Sequence, residues 1–267
     1  MRRRITGFSN PTIKAIRALR DKKHRRREGK FLAEGLRLLI DARDAGRLPE
    51  ALLMADGREP HPLLDALEAE VRAAGGEVLE MPSELLAKVT GKDNPQAVAG
   101  VFADISIVMA DLDRHAAPLW LVAHALRDPG NLGTMLRTAD AVGAGGLILI
   151  DDCADPFSVE AVRASMGAVF TVPLAHARWD TFVAWLRQGA GQLVAASLRD
   201  AEPYRAAAYV APCFVLVGNE SRGLPEAYEA ACDLRVTIPM LGRADSLNAA
   251  IAAAVLAYEA LARLNRR

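Results

Sequence analysis

The chain has 267 residues, of which 51% are hydrophobic and 25% charged, so it is long enough and apolar enough for two ordinary domains with packed cores. No stretch approaches the roughly 20 apolar residues of a membrane span, and no apolar run follows the basic amino terminus, so we expect neither a membrane helix nor a signal peptide. The three cysteines have no paired spacing, which argues against a disulfide framework or a bound metal and favours the cytoplasm.

The formal net charge of zero conceals a strongly basic amino-terminal segment. Residues 1–30 contain 12 Lys and Arg against Asp21 and Glu28, a net of +10, so the rest of the chain nets −10. Such a segment is typical either of a solvated, partly disordered tail or of a region that binds a polyanion. Clustered cations suit the phosphates of a nucleic acid. On that interpretation the RNA-binding residues are Lys22, Lys23, Arg25, Arg26 and Arg27.

The first hundred residues alternate between strand-like and helix-like segments. Asn10 and Pro11 are typical of a helix cap followed by a proline in the first turn. The alternation predicts a small α/β domain over residues 1–104, with residues 1–30 as its basic arm. The mixed charges that follow predict a linker over residues 105–118.

The second half of the chain carries a stronger alternation of apolar strands and helices. Near-continuous apolar strands joined by helices predict a mostly parallel sheet, covered on both faces, within a domain over residues 119–267. The last helix is predicted over residues 246–263, with Asp245 or Ser246 as its N-cap. The predicted strands are residues 119–123, 146–150, 170–173, 193–196, 214–217 and 235–238.

Three polar turns follow predicted strands of this sheet, at residues 128–133, 218–223 and 242–248. In open α/β sheets the carboxyl ends of strands are where ligands usually bind. Each polar residue in these turns would by itself be explained as a helix cap or a solvated turn residue. Together the three turns predict a cleft for a small molecule and a substrate.

Other common kinds of site are not supported. The glycines of residues 143–146 precede a strand, whereas a dinucleotide fingerprint follows a strand and opens a helix, so we interpret them as a helix C-cap. The sequence has no phosphate-binding P-loop, no metal-ligand spacing and no nucleophile elbow. The five histidines lie outside the three turns, so histidine acid/base chemistry is not predicted.

The three turns carry specific motifs, which are Asn131-Leu132-Gly133 with Arg137-Thr138-Ala139, Gly218-Asn219-Glu220 with Gly223-Leu224, and Ile238-Pro239-Met240 with Ser246-Leu247-Asn248-Ala249-Ala250. In this order and spacing they resemble the motifs of the SpoU/TrmH family of RNA ribose 2'-O-methyltransferases, in the SPOUT superfamily. Residues 29–35 resemble part of the small substrate-binding domain, related to a ribosomal protein fold, of family members that act on ribosomal RNA.

This resemblance implies a fold, a cofactor and a partner. The parallel sheet would end in a deep trefoil knot, an exception to the rule that chains do not thread loops, and S-adenosylmethionine would bind in the knot. The family works as a homodimer, for which the apolar stripe of the last helix is a candidate surface, although the same stripe would also serve as core. By motif position the cofactor-binding residues would be Gly218, Ile238, Met240 and Leu247.

The resemblance also implies which residues act in catalysis. In the family the arginine that matches Arg137 has been assigned as the general base. Because a guanidinium is effectively always protonated, we favour a different role, in which Arg137 holds the phosphate of the target and polarises its hydroxyl. Its companions would orient the hydroxyl, Arg137 and the methionine part of the cofactor. The predicted catalytic set is Asn131, Arg137, Glu220, Ser246 and Asn248.

The predicted function is therefore transfer of a methyl group from S-adenosylmethionine to a ribose 2'-hydroxyl, with 23S rRNA as the favoured substrate. One alternative is the same reaction on tRNA, and another is methylation of a base by a related SPOUT enzyme. A third is a non-catalytic RNA-binding or ribosome assembly protein with the same fold. A dehydrogenase is disfavoured because the dinucleotide fingerprint is missing.

Overall fold

The computed structural model describes residues 2–91 and 96–265 of the chain. Its strands within these ranges, in chain order, are β1 (Arg2–Arg4), β2 (Lys30–Glu34), β3 (Ala51–Ala55), β4 (Glu77–Met81), β5 (Val98–Ala103), β6 (Leu119–His124), β7 (Leu147–Ile150), β8 (Leu174–Ala177), β9 (Gln192–Ala196), β10 (Glu202–Pro203), β11 (Cys213–Val217) and β12 (Leu234–Thr237). Its α-helices are α1 (Pro11–Ala18), α2 (Lys22–Glu28), α3 (Leu36–Asp44), α4 (Pro62–Ala73), α5 (Ser83–Thr90), α6 (Pro129–Ala141), α7 (Val159–Ala164), α8 (Ala168–Thr171), α9 (Trp179–Arg187), α10 (Glu226–Ala230) and α11 (Ala249–Leu264).

The chain divides into two compact units, and the division differs from the predicted linear one. The first unit contains residues 1–105 and 155–171, and the second contains residues 106–154 and 172–267. The stretch that carries α7 and α8 therefore belongs with the first unit, although we placed it in the C-terminal domain. Aromatic packing explains this, since the ring of Phe157 stacks on that of Phe31 with centroids 4.7 Å apart.

The first unit is built on a five-stranded mixed sheet of order β1-β4-β3-β5-β2, in which β5 runs antiparallel to both its neighbours. The predicted basic arm is part of this folded unit. Strand β1 pairs in parallel with β4, and α1 begins after Asn10, whose side chain accepts a hydrogen bond from the Thr12 amide at 2.9 Å. The apolar face of α1 buries Ile13 and Ile16. The predicted cap and helix at Asn10 and Pro11 are confirmed, and the alternative of a solvated, partly disordered tail does not hold here because these apolar residues join the core.

The second unit contains a seven-stranded sheet of order β10-β12-β9-β11-β6-β7-β8, and all its pairings are parallel. The predicted parallel sheet is confirmed. Helix α11 packs against α6 and lies over β11 and β6, which closes one face of the sheet. Because β6, β11 and β12 point the same way, the three polar turns that follow them lie at one edge.

One predicted strand is wrong. Residues 170–173 read as a strand because they are aromatic and β-branched, but Phe170 lies in helix α8 and the strand is β8, four residues later. The side chain of Phe170 packs against Phe102, with ring centroids 4.8 Å apart, inside the first unit. Tertiary packing here overrides a local preference for strand.

Two further boundaries differ from the predictions. Helix α11 begins at Ala249, and its N-cap is Asn248 instead of Asp245 or Ser246. The predicted linker contains a 3-10 turn with the buried Met109, and the Ile107 amide donates to the Leu174 carbonyl at 2.7 Å, so most of it packs with the second unit. In the described part of the chain, no helix is both long and apolar enough to cross a membrane.

Candidate active site

A chain of hydrogen bonds joins the three polar turns. The side-chain amide of Asn248 donates to Oδ1 of Asn131 at 2.8 Å, and the amide of Asn131 donates to Oε1 of Glu220 at 3.2 Å. These residues come from the start of α6, from the turn after β11 and from the start of α11, and they are separated by 89 and 117 residues in sequence. The structure therefore brings together three of the five predicted catalytic residues.

Glu220 ends this chain as an ionised acceptor. Burial by itself would raise the pKa of its carboxyl group, but hydrogen bonds outweigh burial and the pKa is lowered from its ordinary value. The donors are its own backbone amide, the Asn131 side chain and the backbone amides of Arg127 and Asp128, the last two at 3.3 Å. A carboxylate held by several donors accepts hydrogen bonds and positions them, and it is a weak base.

The turn after β11 is shaped by Asn219, a residue of the second motif that is not among the predicted catalytic or cofactor-binding residues. Its side-chain amide donates to the Ala125 carbonyl at 2.8 Å, and its Oδ1 accepts from the amides of Ser221 and Arg222. An asparagine directly after a buried strand is a recognised turn former, and that signal was available in the sequence. Asn219 thereby ties the second polar turn to the exit of β6.

A glycine is required at position 218 because the backbone of Gly223, in the same turn, lies very close to it. A Cβ atom at Gly218 would lie 2.5 Å from the carbonyl carbon of Gly223, because the backbone folds back at the paired Asn219 and Gly223. Any side chain here would push the turn open. The glycine of the motif thus has a local steric cause.

A cavity of about 420 Å³ lies beside this turn and has a size that suits a small-molecule ligand. All four predicted cofactor residues line it: Gly218, Ile238, Met240 and Leu247. The predicted catalytic residues Glu220 and Ser246 line it as well. Leu198 and Arg199, which follow β9, also face the cavity and were missed because no motif marks them.

The cavity fits S-adenosylmethionine by its lining. Apolar side chains of Val217, Ile238 and Leu256 offer surface for an adenine, while Glu220 and Ser246 supply polar atoms to the lining. The backbone of the second and third turns adds donors and acceptors without any glycine-rich fingerprint. The residues present are therefore suited to hold the cofactor that the sequence motifs predicted.

The remaining two predicted catalytic residues lie apart from the hydrogen-bond chain. The hydroxyl of Ser246 donates to Oδ1 of its neighbour Asp245 at 3.2 Å. Arg137 lies exposed on α6, and no described residue forms a hydrogen bond or ion pair with its guanidinium. An exposed, unpaired guanidinium is free to bind an anion from solution, and it lacks the burial that its use as a base would require.

One histidine lies closer to the site than the sequence analysis expected. His124 ends β6, directly before the first polar turn, and lines a second cavity of about 770 Å³ with Asn219 and Glu220. Burial lowers the pKa of its imidazole, although the charge of Asp151 opposes this shift. Its Nε2 lies 3.4 Å from Oδ2 of Asp151, which also accepts a hydrogen bond from the hydroxyl of Tyr228 at 2.9 Å. His124 therefore belongs to a partly buried polar cluster with Asp151 and Tyr228 at the end of β6.

The predicted RNA-binding cluster on α2 is only partly available for RNA. The guanidinium of Arg25 is buried, donates to Asp155 at 2.7 and 2.9 Å and also donates to the carbonyls of Leu19 and Arg20, so the assignment of Arg25 to RNA binding was wrong. Arg27 pairs with Glu28, its neighbour in sequence. Lys23 and Arg26 remain exposed on the helix. Spacing alone does not reveal which member of a basic run turns inward.

No group of three or more side chains that could hold a metal ion occurs in the described ranges 2–91 and 96–265.

The fold and the three joined motifs correspond to a known class of RNA-modifying enzymes. The SpoU rRNA Methylase family matches residues 118–258, and the MRM3-like substrate binding domain matches residues 10–100. The chain therefore belongs to the SpoU rRNA methylase family, and the resemblance seen in the motifs is confirmed.

Two relatives are similar to this chain over almost its whole length. A protein of Bacillus subtilis named 23S rRNA (guanosine(2553)-2'-O)-methyltransferase RlmP is 30% identical, over 96% of this chain and 98% of its own. A protein of Streptomyces viridochromogenes named 23S rRNA (uridine(2479)-2'-O)-methyltransferase is 34% identical, over 97% and 92%. The crystal structure of an AdoMet-bound rRNA methyltransferase from Sinorhizobium meliloti is 40% identical, with a TM-score of 0.92 and 98% coverage of both chains.

Proposed function

We propose that this protein transfers a methyl group from S-adenosylmethionine to a ribose 2'-hydroxyl of 23S rRNA. The observation that carries the proposal is the hydrogen-bond chain from Asn248 through Asn131 to Glu220, set beside a cavity of cofactor size. Binding of RNA alone does not require three distant polar turns joined beside such a cavity, whereas methyl transfer does require a cofactor and a hydroxyl to be aligned there. Family membership supports the same reaction class.

When bound, the cofactor supplies a methyl group on a positively charged sulfur. The protein must then align the hydroxyl with that group, exclude water and help the hydroxyl lose its proton. In our proposal Glu220 holds the Asn131 amide in place, and Asn131 and Ser246 orient the hydroxyl and the cofactor. Arg137, with its exposed guanidinium, binds the phosphate beside the target ribose and polarises the hydroxyl.

The choice of 23S rRNA rests on the relatives and on the first unit. Both relatives are named for 23S rRNA but for different nucleotides, guanosine in one and uridine in the other. The ribose reaction is thus common to them, while the base is not. We therefore propose the RNA and the hydroxyl, and the two names give no basis for choosing the nucleotide.

We also propose the trefoil knot, the homodimer and the cytoplasmic location that the family resemblance implies. The dimer is supported by apolar side chains exposed on α11, among them Ile251 and Tyr258, which are 52% and 54% exposed. Such a stripe is costly in water and is typical of a protein interface. The cytoplasm is where ribosomal RNA would meet the enzyme.

Methyl transfer to fractionated RNA tests the proposal. Labelled S-adenosylmethionine is incubated with the protein and with total RNA from a cell that lacks it, and the labelled band is digested to nucleosides. We expect a 2'-O-methylated nucleoside in 23S rRNA. Label in tRNA would support the proposed reaction but show that 23S rRNA is the wrong substrate. A methylated base would show that the methyl group does not go to the ribose.

A calorimetric titration with S-adenosylmethionine tests the remaining alternative, which is a non-catalytic RNA-binding protein. Binding of the cofactor without label in free RNA would direct the same assay to assembled ribosomal particles. If the protein transfers no methyl group to free RNA or to particles, and binds no cofactor, it is a non-catalytic RNA-binding protein and the proposal is wrong.

A further inference from the structure

A large groove in the first unit is lined by more cations than anions. It has a volume of about 1050 Å³ and lies between α1, α5 and the end of β3. Its charged lining consists of Arg17, Arg20, Arg58, Lys88, Asp56 and Glu84. It is lined by residues of the first unit alone and is distinct from the cavity beside the three polar turns.

Two charged side chains of the groove already form ion pairs with other residues. Arg58 donates to Asp65 at 2.8 Å, and Asp56 accepts from Arg4 at 2.8 Å. Among the described residues, no carboxylate pairs with Arg17, Arg20 or Lys88. Within the groove lining these three cations face the one remaining anion, Glu84, which leaves a net charge of +2. Such a groove attracts a polyanion.

The guanidinium of Arg20 lies against Gly91, and among the described residues no carboxylate accepts a hydrogen bond from it. It covers the backbone of Gly91, which caps α5 with φ +76°, and a side chain at this glycine would overlap Cζ and Nη2 of the arginine. The ammonium of Lys88 makes a cation–π contact with Phe8, 4.4 Å from the centre of its ring. Positioned cations with available N–H groups are what binding of phosphate oxygens requires.

The groove contrasts with the basic run on α2. In that run Arg25 is turned inward and Arg27 is paired with Glu28. Arg17 lies in the last turn of α1 and Arg20 lies two residues beyond its end, and both line the groove, so one ligand has two guanidinium groups available to it. The groove therefore offers better-placed cations than the run that the sequence analysis selected.

From these contacts we infer that the backbone of the substrate RNA binds in this groove, with its phosphates on Arg17, Arg20 and Lys88. The inference rests on the proposed function, since it assumes an RNA substrate. Contacts of this kind give affinity and orientation without reading sequence. They would hold the RNA on the first unit independently of the methyl transfer site.

The test compares two double variants in filter binding with deproteinised 23S rRNA from a cell that lacks the protein, across a range of KCl concentrations. In Arg17→Gln/Arg20→Gln we expect affinity to fall at least about tenfold and the slope of log K against log salt to decrease by about 1.5 to 2. The matched control is Arg47→Gln/Arg72→Gln, which removes two exposed arginines of the same unit outside the groove. We expect the control to change affinity by less than about twofold.

A third variant tests whether the position of the Arg20 guanidinium matters when the net charge is unchanged. Gly91→Ala keeps every charge but displaces the guanidinium of Arg20, so it should weaken RNA binding while the protein still unfolds cooperatively. Equal losses in the groove variant and the control, or a larger loss in Lys23→Gln/Arg26→Gln, would overturn the inference. If the wild type methylates RNA and the groove variant binds RNA as tightly as the wild type does, the groove inference is wrong but the proposed function stands. If the wild type neither binds nor methylates RNA, the proposed function fails with it.

Discussion

At the scale of single residues, the site contains a carboxylate, Glu220, and a guanidinium, Arg137, that have different roles. Glu220 is an ionised acceptor whose hydrogen bonds fix Asn131, whereas Arg137 is exposed and has no partner in the described part of the chain. A protonated arginine does not take a proton from a hydroxyl, but it binds phosphate through two parallel N–H groups. Arg137 is thus suited to orient the target.

The substitution Arg137→Lys tests this role, because it keeps the positive charge and removes the fork. We expect kcat/KM for methyl transfer to fall by about a hundredfold, since misplacement of a reacting group by about 1 Å has an effect of this size. Affinity for S-adenosylmethionine, measured by calorimetry, should stay unchanged. Undiminished methylation by the lysine variant would show that the fork is not needed.

The carboxylate of Glu220 gives a pH prediction. Its pKa is lower in the folded protein than its ordinary value, so ionised Glu220 stabilises the fold at pH values above that ordinary value. This contribution is lost as the pH falls through the lowered, folded-state pKa. Wild type should therefore exceed Glu220→Gln in stability at neutral pH, and the difference should shrink in acid, as measured by urea unfolding. A difference that grows in acid would contradict the assignment.

At the scale of elements, Asn248 links the start of α11 to the catalytic turns. Its Oδ1 accepts from the amides of Ala250 and Ile251, and its Nδ2 donates to Asn131. One side chain thus caps the helix with its oxygen and completes the hydrogen-bond chain with its nitrogen. Substitution can separate the two contacts.

Asn248→Ser should keep the cap and lose the bond to Asn131, whereas Asn248→Ala should lose both. We expect the alanine variant to be about 1 kcal/mol less stable and the serine variant close to wild type. Both should lose methyl transfer activity. Stability is measured by tryptophan fluorescence in urea, because Trp120, Trp179 and Trp185 all lie in the second unit. Full activity in the serine variant would remove Asn248 from the catalytic set.

The ion pair between Arg25 and Asp155 fixes α2 to the stretch before α7 in the first unit. The two side chains are 6% and 12% exposed, and Nε and Nη2 of Arg25 both donate to Oδ2 of Asp155. Removal of one partner from a buried pair leaves an uncompensated charge. This contact explains why a basic helix belongs to a packed core.

We expect Arg25→Ala to destabilise the first unit by about 3 to 5 kcal/mol. The exposed Arg27→Ala should cost no more than about 0.5 kcal/mol, since its pair with Glu28 lies in water. Hydrogen exchange of peptides from β2 and α7 reports on this unit, which contains no tryptophan. Similar protection in the two variants would show that the buried pair holds nothing in place.

At the scale of the whole molecule, the exposed apolar residues of α11 bear on assembly. In the proposed dimer this helix is covered by a second copy, so Ile251→Asp/Tyr258→Asp should give a monomer in light scattering and lose methyl transfer. The control is Val108→Asp, which changes a residue that is 66% exposed and lies outside α11. We expect it to remain dimeric. A wild-type monomer with full activity would refute the dimer proposal.

The sequence by itself determined the class of the fold and the family. Apolar strands that alternate with helices specify a parallel sheet because such strands must be buried on both faces, and the three motifs name the site residues because each turn needs its own glycine, amide or carboxylate. These are local requirements. The motifs therefore predict that Gly218, Asn131 and Glu220 are neighbours, and the chain folds so that all three lie at one edge of the sheet.

Only the tertiary structure decided which distant segments pack together in each unit, and therefore which side chains are buried or paired. Phe170 reads as part of a strand but packs with Phe102 in a helix, and Arg25 reads as an RNA contact but faces Asp155, which lies 130 residues away. Likewise, the groove cations Arg17 and Arg20 differ from their basic neighbours only in what surrounds them. Burial and pairing depend on contacts between distant segments, and such contacts leave no local pattern in the sequence.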